Sequence, residues 1–261
     1  PPRSTLFPYT TLFRSNQGIL ATSSPYVLLL NSDCELLNDC ITPLVDVLGN
    51  NPNIGVSGSV LLHANGKVQK AGGDMLTLKK VFREQLFFRS AAIFAQDVSD
   101  LERMYGSTPY FQADFVSGAA LCTSRAVLQR IGLLREDFFM YGEDLEFCLR
   151  AQRLGFQTVI VKESRVVHHK CQSTNKNLEQ ALHHGIVNNC VLLGQLEGRR
   201  AAQRALIYYF IGGCFRMVLA FFRAGIRVSS WLHVLRHYRS IVQAVHNKLQ
   251  PSAEDNQTHA Q

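Results

Sequence analysis

Residues 136–150, with the sequence EDFFMYGEDLEFCLR, form the stretch best suited to chemistry, because five carboxylates lie beside an aromatic run. After Gly142 the apolar residues recur at positions i, i+3 and i+4, which predicts a helix that begins near Glu143. Glu143 and Asp144 then lie in its first turn. Acids there commonly do no more than complement the helix dipole, by less than about 1 kcal/mol. A carboxylate beside an apolar wall can also keep enough basicity to take a proton from a hydroxyl.

Composition and charge limit the classes of protein this chain can be. The chain is 46% hydrophobic, so we expect one domain with a buried core, an appended region and disorder only in the polar tail 251–261. Residues 16–161 hold 12 basic and 15 acidic side chains, whereas residues 162–250 hold 13 basic and 3 acidic. This basic second half predicts a polyanionic partner, either nucleic acid or an anionic membrane. Seven cysteines without a C-x-x-C pair indicate reduced, cytoplasmic thiols.

Residues 1–15 read as the translation of a sequencing-library adapter. We therefore expect them to carry no information about the fold and the natural chain to start at or before Asn16. The domain prediction then has four parts: the adapter at 1–15, an α/β domain at 16–173, a helical region at 174–250 and the tail.

Strands that alternate with helices between residues 26 and 169 predict an α/β fold. Apolar runs without alternation, at 26–30, 54–62, 115–122 and 156–161, are typical of strands covered on both faces, as in a Rossmann-like, mostly parallel sheet. Ligands bind beyond the carboxyl ends of such strands, so Asn31 and Asp33 are well placed for a site. The same residue types also make ordinary turns.

Only helices are predicted after Gln172. The apolar stretch 205–222 is interrupted by Arg216 and flanked by further arginines. Eighteen helical residues reach only about 27 Å, which is marginal for a membrane span. The pattern therefore favours a helical hairpin at the membrane interface, with an ordinary core helix as the alternative.

Four motifs follow one another along the chain: an apolar strand followed by NSDCE, then DFVSGA, then REDFFMYGEDLEFCLRA, and then VVHH. Together and in this order they resemble the bacterial family 2 glycosyltransferases of GT-A fold, especially their rhamnosyltransferase-like branch. The resemblance covers residues 16 to about 173. In this family the first strand and the acidic residues for the nucleotide base precede the position of Asn16. We therefore expect the N-terminal strands to be missing here and residues 1–261 to express poorly and to be inactive as a fragment.

The resemblance implies a role for six residues. Asp33 matches the second position of a D-x-D-type motif and would hold Mg²⁺ or Mn²⁺ against the donor diphosphate, with His168 completing the metal site. The other four would serve the substrates: Asn31 near the ribose, Gly118 near the donor sugar, Glu143 in the acidic pair and Asp144 as the general base. One departure is that Lys170 and Cys171 replace glycines that are common after the family's histidine.

By this resemblance the protein is an inverting, membrane-associated glycosyltransferase on the cytoplasmic face of the membrane. It would move a sugar, with rhamnose as one candidate, from a nucleotide-sugar donor to a hydroxyl of a glycan or lipid-linked acceptor. The alternative is a non-catalytic, membrane-associated scaffold derived from a transferase. A zinc module is suggested by ligand type but fits no usual spacing; its residues would be His168, His169, Cys171, His183, His184 and Cys190. Nucleic-acid binding is disfavoured because the aromatics lie within long aliphatic runs.

Overall fold

A computed structural model of the protein describes residues 11–37, 39–87, 98–138, 141–169, 178–220 and 228–250. The chain divides into two compact units. The sheet unit comprises residues 1–75 and 92–172, and the helical unit comprises 76–91 and 173–261. The second segment of the helical unit starts at residue 173, near the predicted domain boundary. Residues 76–91, which were expected in the α/β domain, belong to the helical unit. Residues 1–10 and 251–261 lie outside the described residues.

The sheet unit contains a six-stranded sheet and a small two-stranded sheet. Its strands are β1 (Tyr26–Leu30), β2 (Cys34–Leu37), β3 (Ile54–Leu62), β4 (Gly72–Gly73), β5 (Tyr110–Gln112), β6 (Phe115–Val116), β7 (Ala120–Ser124) and β8 (Gln157–His168). In the large sheet the order is β1-β7-β3-β8-β2, with β5 also pairing with β8. Strands β4 and β6 form the small sheet.

The prediction of a mostly parallel sheet is wrong. Among the described pairs in the large sheet, β3 and β8 are parallel, whereas β1–β7, β3–β7, β2–β8 and β5–β8 are antiparallel. The apolar run of β3 was correct about burial, since every one of its residues is buried, whereas β1 is only half-buried and its Leu30 is exposed. An uninterrupted apolar strand reports that both of its faces are covered, and this is independent of the direction of its neighbours. The α/β class itself is confirmed.

Two predicted strand boundaries also change. The run 115–122 is not one strand, because a turn at 117–119 separates β6 from β7. Conversely, 156–161 and 166–169 belong to one long strand, β8, whose pairing with β3 slips between Val161 and Arg165. At this irregularity Ser164 is buried, and its hydroxyl donates to the carbonyl oxygen of Cys40. The polar residues 162–164 interrupt the apolar pattern, so the prediction ended the strand at Val161 instead of continuing it to His168.

Among its described residues, the sheet unit also contains five helices. They are α1 (Thr11–Ala21), α2 (Thr42–Asn50), α4 (Val98–Tyr105), α5 (Arg125–Ile131) and α6 (Glu143–Arg153). Helix α1 starts inside the segment predicted to be adapter. Buried Asn16 connects α1 to the loop before α6, donating to the carbonyl oxygen of Leu134 at 2.8 Å. The core beneath the sheet is built from α2 and the inner strands, with buried Leu44, Ile54 and Val159.

The helical unit consists of α3 (Leu78–Leu86), α7 (Leu178–Glu197), α8 (Arg199–Ala220), α9 (Val228–Arg236) and α10 (Tyr238–Lys248). One face of α8 is buried and consists largely of small residues, including Ala202, Ala205 and Gly212. Arg216 packs inside the unit: its guanidinium donates to the carbonyl oxygens of Glu84 and Gln85 and lies over the Trp231 ring. Among the described residues, no helix has the length and apolar character needed to cross a membrane.

Candidate active site

The loop between β1 and β2 brings Asp33 to the end of β8. Cys34 pairs with His168 in the β2–β8 register. The Nε2 of His168 lies 3.3 Å from Oδ1 of Asp33. One ligand atom each from Asp33, Cys34 and His168 lies within 4.8 Å of the others. The structure therefore brings together the two residues predicted to bind a metal, although 135 positions separate them in the chain (168 − 33).

Backbone contacts on both strands hold this corner in place. The His169 N–H donates to the carbonyl oxygen of Asp33 at 2.9 Å. The side chain of buried Gln69 donates to the carbonyl oxygens of Leu62 and His168. His169 turns away from the metal-ligand group and lies 3.2 Å from the carboxylate of Glu35. Beside this corner a cavity of about 470 Å³ is lined by His63, Ala64, Asn65, Lys67, His168 and His169.

The turn at residues 117–119 connects the Asp33 loop to the acidic helix. On one side, the Gly118 N–H donates to Oδ2 of Asp144 at 3.1 Å. On the other side, the carbonyl oxygen of Ala119 accepts from the Asn31 N–H at 3.0 Å and from the Cys34 thiol at 3.3 Å. A single dipeptide thus contacts both halves of the predicted site. Three of the six predicted site residues, Asn31, Gly118 and Asp144, are in this way joined through one turn, which also contacts the loop that holds Asp33.

Two consecutive left-handed residues set the start of α6. Tyr141 has φ 64° and Gly142 has φ 92°. A tyrosine in this region is strained, and such strain persists only where the surrounding structure enforces it. The Tyr141 side chain is exposed, whereas Gly142 is buried. The reversal at these residues turns the chain so that Glu143 and Asp144 begin the helix beside Gly118.

The acidic pair is half-buried, and its two members differ in how readily they ionise. Burial and the neighbouring charge of Asp144 raise the pKa of Glu143 to about 8, and its Oε2 is a buried atom without a hydrogen-bond partner. Burial also raises the pKa of Asp144. The N–H groups of Gly118 and Leu145 oppose this effect, because they donate to its two carboxylate oxygens and favour the ionised form. The two N–H donors therefore make Asp144, rather than Glu143, the carboxylate of the pair that ionises first, as the role of general base requires.

The third acid of the helix has a structural role. Glu146 is buried, and both of its carboxylate oxygens accept from Nε of Arg150 at 2.9 and 3.0 Å. The same guanidinium donates to the carbonyl oxygens of Ile131 and Leu133, which ties α6 to the end of α5. Both carboxylate oxygens of Glu146 are occupied by this contact within the fold, so Glu146 is not available as a base in the predicted site.

Sequence reasoning missed two groups near the site. Cys34 was read only as one of several reduced thiols, yet its sulfur lies within the metal-ligand group. Lys70, in the hairpin after β3, has an exposed side chain whose charge lowers the pKa of Asp144. The position of Cys34 directly after Asp33 was a usable signal for the first. Nothing in the sequence placed Lys70 near a residue 74 positions later (144 − 70).

The members of the disfavoured zinc module lie in different units. His168 and His169 belong to the sheet unit, whereas His183, His184 and Cys190 lie on α7 in the helical unit. Cys171 is outside the described residues. The Cys190 thiol is buried, and burial raises its pKa, so it is poorly suited to bind a metal as thiolate.

We predict that Glu143 makes the stability of the protein depend on pH. Its pKa is about 8 in the fold against an ordinary value of 4.5, so the folded state binds more protons between these values. The free energy of unfolding should therefore fall as pH rises from 4.5 to 8. Glu143→Gln cannot ionise, so urea unfolding of this variant should lose less stability between pH 5 and 8 than the parent protein.

Glu163→Gln serves as the matched control for this measurement, since Glu163 is exposed on β8. It should keep the pH dependence of the parent. An equal loss of stability with pH in the Glu143→Gln variant and in the parent would contradict a buried, proton-binding Glu143.

Comparison with known protein families identifies the class to which this α/β chain belongs. Residues 11–184 match the sequence profile of the family described as "Glycosyltransferase like family 2". This match covers more than half of the chain, and the chain belongs to that family.

Two curated relatives carry names that describe sugar transfer or glycan synthesis. An N-acetylglucosaminyl-diphospho-decaprenol L-rhamnosyltransferase of Mycobacterium tuberculosis (strain CDC 1551 / Oshkosh) is 24% identical over 159 residues, which are 58% of this chain and 49% of that protein. The O-antigen biosynthesis protein RfbC of Myxococcus xanthus is 24% identical over 160 residues, 61% of this chain and 12% of that protein. The chain thus spans about half the length of the first relative and much less of the second.

Among solved structures, the mannosyltransferase PcManGT from Pyrobaculum calidifontis in complex with GDP-Man and Mn²⁺ is similar at a TM-score of 0.45 and 11% identity. The similarity covers 92% of this chain and 66% of that one. A structural similarity at this TM-score carries no argument here, and membership of the family is shown by the sequence profile match.

Proposed function

We propose that the protein transfers a sugar from a nucleotide-sugar donor to a hydroxyl group, with inversion at the anomeric carbon. The observation that carries the proposal is the turn at 117–119. Through Gly118 it contacts Asp144, and through Ala119 it contacts the loop that holds Asp33. A base and an anion-binding corner are thereby fixed on one rigid element, as a displacement with a diphosphate leaving group requires.

Asp144 acts as the general base. It is half-buried, and two backbone N–H groups orient its carboxylate and favour the ionised form against the effect of burial. It takes the proton of the acceptor hydroxyl while the oxygen attacks the anomeric carbon. The bond to the diphosphate breaks on the opposite face of the sugar, so one displacement inverts the configuration. Protonated Glu143 shapes the pocket beside the base and leaves Asp144 as the charged member of the pair.

Asp33 and His168 would hold a divalent cation, which supplies charge neutralisation for the leaving diphosphate. The donor set fits this role, because a carboxylate oxygen and an imidazole nitrogen converge at the end of β8. Carboxylate suits both Mg²⁺ and Mn²⁺, and the imidazole favours Mn²⁺ of the two. Asn31 would lie near the donor ribose, and in the adjacent cavity Lys67 offers a positive partner for phosphate and His63 a ring that can donate a hydrogen bond.

Rhamnose is the first donor sugar to test, and a lipid-linked or glycan hydroxyl is the first acceptor class, because the Mycobacterium tuberculosis relative is named for both. The Myxococcus xanthus relative supports a place in cell-surface polysaccharide synthesis. The experiment is transfer from a panel of nucleotide-activated sugars by an active protein that contains this chain. Transfer from one donor supports the proposal. A protein that binds no sugar nucleotide would instead be the non-catalytic scaffold.

We further propose that α8 attaches the protein to the cytoplasmic face of an anionic membrane. Large apolar side chains recur along one face of α8 and are about half exposed, among them Ile207 at 51%, Ile211 at 45%, Phe215 at 45% and Val218 at 55%. Exposed Arg200 and Arg204 continue this face at the helical spacing of three to four residues. Arginines at one end of an apolar stripe fit a surface of anionic lipid headgroups over hydrocarbon, rather than a second protein surface.

Binding to vesicles should depend on both parts of this face. We expect the chain to bind phosphatidylglycerol vesicles in sedimentation assays, and Ile211→Ser with Phe215→Ser to weaken binding at least about tenfold, because apolar area no longer enters the interface. Arg200→Gln with Arg204→Gln should remove the dependence on salt. Leu154→Ser is the control, since Leu154 is 43% exposed at the end of α6. Equal binding by all of these variants would assign membrane attachment to another part of the protein, and binding to neutral vesicles alone would reject the anionic partner.

A further inference from the structure

The helical unit contains a group of metal-ligating side chains that the proposed transfer does not use. Glu179 and His183 lie on α7, and His233 and His237 lie at the end of α9. Each helix thus contributes two ligands four residues apart, and such pairs share one helix face. Two imidazoles at this spacing on one helix are a recurrent arrangement for binding zinc.

The helical geometry continues through the second pair. His237 follows the last residue of α9, yet its N–H still donates to the carbonyl oxygen of His233 at 3.0 Å. The two imidazole rings are stacked with centroids 4.1 Å apart. They therefore extend in the same direction from the helix, as two ligands of one ion must.

Contacts between α7 and α9 bring the two pairs together. The Nδ1 of His233 lies 3.4 Å from Oε2 of Glu179. The rings of His183 and His233 lie with centroids 6.2 Å apart. Metal–nitrogen bonds of about 2.0 to 2.1 Å in a tetrahedral site hold the centroids of two imidazole ligands roughly 5 Å apart. The observed separations of 4.1 and 6.2 Å lie on either side of that value.

The ligand atoms do not yet converge, because Asp33, Cys34 and His168 are the group within 4.8 Å of one another among the described residues. Convergence in the helical unit requires side-chain rotation rather than a change in helix packing, since the ring separations differ from the ideal by only about 1 Å. His233 and Glu179 have room to rotate, with side chains 25% and 47% exposed. The candidate cation site is empty.

The chemical state of the histidines suits metal binding. The Nδ1 of His237 lies 2.9 Å from the carbonyl oxygen of His233. A proton on this Nδ1 would donate to that carbonyl and leave Nε2 as the free lone pair, which is the usual way an outer hydrogen bond orients a metal-binding histidine.

We propose that Glu179, His183, His233 and His237 form a binding site for Zn²⁺ or a similar borderline transition metal, which clamps α7 to α9. Three imidazole nitrogens and one carboxylate oxygen are ligands that Zn²⁺ accepts in tetrahedral geometry, and they suit Co²⁺ as well. The site is independent of the Asp33 corner, which lies in the other unit. A metal that binds only the folded protein raises its stability by mass action, so the clamp would strengthen the helical unit.

The test uses tag-free protein of the full chain, with Co²⁺ as the probe and Zn²⁺ as competitor. Every sample carries His168→Gln, so that the Asp33 corner contributes as little as possible. Visible absorption of bound Co²⁺ should report a tetrahedral site that Zn²⁺ displaces. His233→Gln and His237→Gln should each weaken Co²⁺ binding at least about tenfold, as the loss of one direct ligand requires.

His184→Gln is the matched control. It is adjacent to His183 on α7, but the charge that acts on it is that of Lys248. Its Co²⁺ affinity should equal that of the parent. His237 is exposed and Glu179 is partly exposed, so His237→Gln and Glu179→Gln keep the test decisive if His233→Gln fails to fold. Unchanged affinity in these two variants, or an equal loss in His184→Gln, would overturn the proposal.

Discussion

Replacing Asp144 by asparagine is expected to lower sugar transfer by at least about 10²-fold, while the affinity for the sugar nucleotide stays similar. Asparagine keeps the size of the side chain, and its amide oxygen still accepts one of the two N–H groups that contact the carboxylate. It removes the basicity that deprotonates the acceptor. The measurement is turnover together with donor binding, in an active protein that contains this chain.

The comparison variant for Asp144→Asn is Asp137→Asn. Asp137 lies seven residues earlier and is 40% exposed, paired with Arg135. The control should retain nearly normal turnover. Thermal unfolding of both variants separates a loss of basicity from a loss of fold, because Asp144→Asn also exchanges one acceptor for a donor. Normal transfer by a folded Asp144→Asn protein would assign the base to another residue.

Removal of divalent metal should abolish transfer, and Mn²⁺ or Mg²⁺ should restore it. A diphosphate leaving group carries charge that Asp33 and His168 cannot neutralise by themselves, so a cation held by these residues would supply the larger part of the stabilisation. Binding can be measured without activity: Asp33→Asn should weaken Mn²⁺ binding to this chain at least about tenfold in calorimetry. The imidazole of His168, 3.3 Å from Asp33, makes His168→Gln the second variant with an expected loss.

Two further variants sharpen the metal test. Glu35→Gln is the control, because its exposed carboxylate faces His169 rather than His168. It should bind Mn²⁺ like the parent. Cys34→Ser should also change Mn²⁺ affinity little, since this ion prefers oxygen over sulfur. Full transfer in excess chelator, or unaltered Mn²⁺ binding by Asp33→Asn, would reject the metal assignment.

Local sequence patterns correctly predicted several elements, including the helix that carries the predicted acidic pair. The apolar runs gave β1 and β3 with their observed ends, and the strand ends at Leu30 and Leu62 follow from the change to polar residues. Gly132 closes α5 with a left-handed φ of 85°, a conformation that glycine adopts readily. The i, i+3, i+4 pattern after Gly142 placed Glu143 and Asp144 at the start of α6. Each of these features depends on residues only a few positions apart, so a short stretch of the sequence is enough to predict it.

The tertiary structure alone decided which of these elements meet and in which direction. The strand direction, the slip within β8 and the contact of Cys34 with His168 depend on pairing between residues more than a hundred positions apart. Likewise, the single turn that joins Asp144 to the Asp33 loop was hidden inside what read as one strand. Both faces of α8 carry apolar residues, so hydropathy did not distinguish the buried face of small residues from the exposed face of large ones. The pattern of apolar side chains indicates which residues are buried and whether a segment is a helix or a strand. The register and direction of the strands depend on how the whole sheet packs, so only the folded chain selects among the arrangements that the pattern permits.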